Sequence, residues 1–93
     1  MTEQTFVSVW DALEDSPEMA ENMKIRSALM IELQELVRSR GWAQEEAAGH
    51  LGVTQPRLND LLRGRIDKFS LDALVLLAAR AGLAVQLQIK QAA

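Results

Sequence analysis

Apolar residues recur with two different periods along the 93-residue chain, and the change of period divides it. Between Ser16 and Arg40, Leu29, Leu33, Leu36 and Val37 fall at i, i+4, i+7 and i+8, the stripe of an amphipathic helix. Ser16-Pro17-Glu18 marks its start, with a hydroxyl cap, a proline in the first turn and an acid at the positive end of the dipole. Arg38 and Arg40 ahead of Gly41 mark its end. Asn22 offers an alternative cap, so the pattern allows one helix or two pieces. Met23, Met30 and Ile31 lie partly off the stripe, which leaves two roles for them: burial against the N-terminal residues, or contact with a second chain.

Gln44 to Arg63 reads as two short helices folded about one glycine. Ala47, Ala48 and Leu51 give the first its inner face, Gly52 permits the left-handed conformation that ends it, and Thr54 caps the second. Pro56 fits the first turn, where its missing N–H has no intrahelical acceptor to lose. Leu58, Leu61 and Leu62 return to the core, which leaves Gln55, Arg57, Asn59, Asp60 and Arg63 facing out. Ala43, ahead of the first of these helices, provides no capping side chain. The next helix opens at Ser70, with Phe69 placed to staple against Leu74, and closes at Gly82. Leu71, Leu74, Val75, Leu76, Leu77 and Ala78 make it apolar nearly all round, so it is expected at the centre of the core.

The period then shortens to two. Val85, Leu87 and Ile89 alternate with Gln86, Gln88 and Lys90, which predicts a short strand in residues 84–90. Its backbone groups need a partner, and no convincing second strand is present in the chain. Pairing with a second copy through Val85, Leu87 and Ile89 is the expectation. At the other end, Phe6, Trp10 and Leu13 fall at i, i+4 and i+7 in an acidic arm, residues 1–15. Short helix and disorder both fit there, and the aromatic residues suit either the domain's own core or the anchoring of a partner.

Composition narrows the function classes. A 48% apolar content suits a single small core, expected as a helical domain over residues 16–83 with a strand and tail over 84–93. There is no cysteine and one histidine, which excludes disulfides, thiolate metal sites and a His cluster; His50 is read as a surface residue. With no nucleophile–base set, phosphate-cradling loop or ligand spacing, neither an enzyme nor a cofactor or metal is expected. No apolar run approaches membrane-spanning length, so the protein is expected to be cytoplasmic, without membrane association. The net charge of −3 conceals an asymmetry: residues 1–23 hold six acids and no base, and the remainder ten bases and seven acids, a net +3. An acidic arm on a mildly basic domain implies two different surfaces, unless the acids are merely solvated.

From Trp42 to Gly64 the sequence follows W-x-Q-x-E-A-A-x-x-L-G-V-T-Q-P-x-L-x-x-L-L-x-G, and in this it resembles the XRE family of phage-repressor and Cro-like helix-turn-helix proteins. The motif covers about a quarter of the chain, and nearly half if Phe69 to Leu83 is the family's next helix. With its acidic lead-in and long first helix the chain looks most like the small HigA-like antitoxins that accompany RelE-superfamily toxins. Ala43 departs from the pattern, which often has Thr or Ser there. The resemblance implies an all-α, lambda-repressor-like bundle of four to five helices, here with the short C-terminal β-strand. It further implies a homodimer on double-stranded DNA and, as a possible second partner, a RelE-like toxin held through Phe6, Trp10 and Leu13. Base edges would be read from the second helix of the motif, with Gln55 on adenine, Arg57 on guanine unless it takes a phosphate, Asp60 either on cytosine or, as an acid near phosphates, excluding wrong sites, and Asn59 beside them. Phosphate contacts would fall to Gln44, Thr54, Arg63, Arg65 and Lys68, of which the last three otherwise form a solvated basic loop.

Overall fold

The computed structural model describes residues 16–91. Four α-helices follow one another: α1 (Pro17–Arg40), α2 (Gln44–Leu51), α3 (Gln55–Leu62) and α4 (Leu71–Arg80), with a 3-10 turn (Ile66–Lys68) between the last two. The helical boundaries follow from their caps. Ser16 accepts from the Met19 N–H at 3.1 Å, Thr54 from the Arg57 N–H at 3.3 Å and Ser70 from the Ala73 N–H at 3.1 Å, so three of the four helix starts have an orphan donor satisfied by a hydroxyl. Ala43 provides no such bond, as its side chain requires. Asn22 caps nothing; it accepts from Arg26 Nε at 2.7 Å within a single uninterrupted α1.

The core is one apolar cluster. Leu33, Leu51, Leu58, Leu61, Phe69 and Leu74 are its largest fully buried side chains, joined by Met30, Val37, Ala47, Ala48, Leu77 and Ala78. Helix α1 packs against α4, α3 and the 3-10 turn, and α2 packs against α3 and α4. Small residues at Ala47 and Ala48 let α2 lie close to its neighbours. The buried stripe of α1 is Met30, Leu33 and Val37, whereas Leu29 and Leu36 are half-buried. Met30 therefore belongs to the chain's own core, and Ile31, one residue on, points away with 53% exposure.

Two expectations are corrected. Helix α4 is not central: Leu74, Leu77 and Ala78 are buried, but Val75 and Leu76 are 39% and 51% exposed, because only one side of a ten-residue surface helix can meet the core. Among the described residues there is also no strand, and those after Gly82 have no regular structure. Val85, Leu87 and Ile89 stand out at 43%, 77% and 87% exposure. The alternating pattern is present, but a ladder needs a second strand and these helices offer no edge to pair with. Phe6, Trp10 and Leu13 lie outside the described residues.

Candidate nucleic-acid interface

Between α2 and α3 the chain reverses in three residues. Gly52 takes φ +67°, a conformation strained for any residue with a Cβ, and its N–H closes α2 on Gly49 O at 3.3 Å. The Val53 N–H bonds Ala48 O at 3.0 Å, after which Thr54 starts α3. From α4, Arg80 Nη1 reaches the carbonyls of Leu51 and Gly52, both at 3.5 Å, so the turn is held from outside as well. Leu58 and Leu61 are buried beneath α3, and its other side is turned to solvent.

The polar residues of α3 and its end divide into two groups. Gln55 and Arg63 are exposed and Asn59 is half-buried, and their side chains make no hydrogen bond or ion pair among the described residues. Arg57 and Asp60 are occupied. The Arg57 guanidinium lies 4.0 Å from the centre of the Phe69 ring and donates through Nη1 to Lys68 O at 2.7 Å. The Asp60 carboxylate stands 3.8 Å from Arg65 Nε and 4.0 Å from Lys68 Nζ. Arg57 and Asp60, both expected at base edges, are thus engaged with the following loop.

That loop is fixed by its own backbone and from two helices. Gly64 at φ +75° lets Arg65 N–H return to Asp60 O at 3.0 Å. From α1, Gln34 Nε2 bonds Leu61 O at 2.9 Å and reaches Leu62 O at 3.5 Å, satisfying carbonyls left open at the end of α3. Arg26 Nη1 donates to Phe69 O at 3.2 Å and Ile66 O at 3.4 Å. Arg65 and Lys68 are exposed on this frame, next to Arg63. Arg26, Gln34 and Arg80 were not singled out by sequence reasoning. Arg26 carried a signal, because it lies four residues before Met30 on the buried stripe, where a charged group needs a partner.

Gln44 is exposed at the first turn of α2, where no side chain caps the free N–H groups. Close by, the Trp42 and His50 rings stack at 4.1 Å, with the Arg40 guanidinium 5.6 Å from the indole. The described residues contain no group of three or more His, Cys, Asp or Glu that could hold a metal ion, and no helix long and apolar enough to cross a membrane.

A family model described as a helix-turn-helix domain matches residues 12–90. The chain belongs to this helix-turn-helix family. No protein with a curated description matches it. The match takes in α1 and α4 along with the α2–α3 pair, so the helix-turn-helix domain includes the helices whose Arg26, Gln34 and Arg80 hold the loop and the turn. In DNA-binding helix-turn-helix domains the second helix of the motif is the one that enters the major groove, and α3 holds that position in the order of elements here.

Proposed function

We propose that this helix-turn-helix domain is a sequence-specific DNA-binding repressor acting as a homodimer, and that it is the antitoxin and autorepressor of a toxin–antitoxin pair. The observation that carries the DNA reading is the division on α3. Gln55 and Asn59 are unengaged on the helix that such domains place in the major groove, while Arg63, Arg65 and Lys68 surround its end on a loop held by side-chain bonds. Base reading is assigned to Gln55 and Asn59, and phosphate contact to Arg63, Arg65 and Lys68. The first turns of α2 and α3 add Gln44 and Thr54, where N–H groups meet phosphate with the favourable end of the helix dipole. One reading head selects a site poorly, and the exposed Val85, Leu87 and Ile89 are the surface proposed to join two heads on half-sites about 34 Å apart.

Gln55→Ala tests the base-reading role. A bidentate contact to adenine is worth about 1–3 kcal/mol of discrimination, so affinity for the operator should fall by that amount and affinity for random duplex should not. Equal losses on both duplexes would remove Gln55 from the readout. The antitoxin reading is supported by charge: six acids and no base in residues 1–23 suit a basic RNase toxin, since an RNA-binding surface must itself be basic. Its test is co-elution with the product of the adjacent reading frame, followed by binding of the complex to their shared promoter. Free elution of both proteins would leave a regulator without a toxin partner.

A further inference from the structure

Lys68 is gripped at both ends by one turn of α3. Its carbonyl receives the Arg57 guanidinium at 2.7 Å, and its ammonium lies 4.0 Å from the Asp60 carboxylate, which also stands 3.8 Å from Arg65 Nε. Among the described residues Asp60 is the acid within ion-pair reach of these two loop cations, and its side chain keeps 22% exposure, against 46% and 49% for its partners. The carboxylate is therefore less exposed than either cation and lies within ion-pair distance of both.

We propose that Asp60 is an internal counter-ion that occupies the place of a DNA phosphate in the free protein and thereby sets the affinity of the loop for every sequence. This rests on the DNA-binding reading above and replaces the role of Asp60 as an acceptor from cytosine. When the domain docks, Arg65 and Lys68 exchange the Asp60 carboxylate for phosphate oxygens, and Asp60 is left beside the incoming anions. Both effects oppose binding, and both act through charge alone, so they reduce specific and non-specific binding by the same factor. A charge that acts on phosphates changes the salt dependence; a charge that reads a base changes the ratio between sequences. Arg57 is then a positioning residue: by holding the Lys68 carbonyl and stacking on Phe69, it keeps the loop backbone in register with Asp60.

The experiment compares Asp60→Asn with Glu32→Gln by titration on operator and random duplexes at several salt concentrations. Asparagine preserves the shape of Asp60, and the Arg65 N–H to Asp60 O bond is backbone, so the fold is retained and a thermal melt verifies it. Glu32 is exposed on α1 and makes no ion pair among the described residues, so its substitution changes net charge without touching the loop. Asp60→Asn should raise affinity for both duplexes by the same factor, roughly three- to tenfold near 0.1 M salt, and steepen the log–log salt slope by about one. Glu32→Gln should do clearly less. A changed operator-to-random ratio would overturn the proposal in favour of base reading, and so would no change in affinity or an effect equal to that of Glu32→Gln. If the unsubstituted protein binds neither duplex, the DNA-binding reading itself fails, an outcome distinct from all of these.

Discussion

The loop after α3 and the segment after α4 are both short, both exposed in places and both without α-helix or strand, yet they are held in opposite ways. Between Leu61 and Phe69 five carbonyls receive side-chain donors, from Arg26, Gln34 and Arg57. From Val85 to Lys90, no side chain or backbone group bonds another described residue, and three large apolar side chains face water. The first segment is specified by the chain itself. The second carries an alternating pattern that meets no complement among the described residues. Polar side chains can fix a backbone from a distance in sequence, as Arg26 does over 43 residues to Phe69, whereas period-two alternation specifies only one half of a ladder.

The largest expected effect breaks the apolar side of this comparison. Leu87→Lys places a charge on the face proposed to pair, and the expected outcome is a monomer by light scattering. Its affinity for a palindromic operator should fall by about 100-fold or more, because the second head no longer binds intramolecularly, while affinity for a single half-site stays near normal. A dimer that survives would shift the interface to the other large apolar residues exposed among the described ones, Ile25 and Ile31 on α1 or Val75 and Leu76 on α4.

The polar side is tested by Arg26→Ala, which leaves the carbonyls of Ile66 and Phe69 without their charged donor. Charge-assisted bonds of this kind are worth about 2 kcal/mol together, and a urea melt should show that loss. Amide exchange should rise first in the loop rather than uniformly, since the donor restrains that segment. Uniform exchange with an unchanged melt would mean that water replaces Arg26 without cost.

These two segments also show what was legible beforehand. Helix starts at Ser16, Thr54 and Ser70 were readable because a cap is a local device, settled by a hydroxyl and the N–H three residues on. The outward set on α3 was readable from Leu58, Leu61 and Leu62, whose spacing fixes the opposite face. The occupation of Arg57 and Asp60 was not, because it depends on where Lys68 and Phe69 return in space after a glycine turn. The exposure of Val75 and Leu76 was unreadable for a related reason: an apolar side chain does not announce whether its partner belongs to the same chain.

The smallest effect sharpens the contrast at a helix start. Ala43→Ser supplies α2 with the hydroxyl acceptor that the other three helices have, and should raise stability by about 1 kcal/mol in the same urea assay. Fold and operator preference should be unaltered. No gain would show that the first N–H groups of α2 are already well satisfied by solvent.

Because the carbonyls of the loop and turn are bound by Arg26, Gln34, Arg57 and Arg80, and none by Gln55, Asn59 or Arg63, the residues that shape this frame are separate from those proposed to meet DNA at the exposed side of α3. The outward three can be exchanged in a library without disturbing any hydrogen bond that shapes the scaffold. On the proposed reading, such a frame is sent to a new operator by changing Gln55 and Asn59, while the four residues that bind its carbonyls stay as they are.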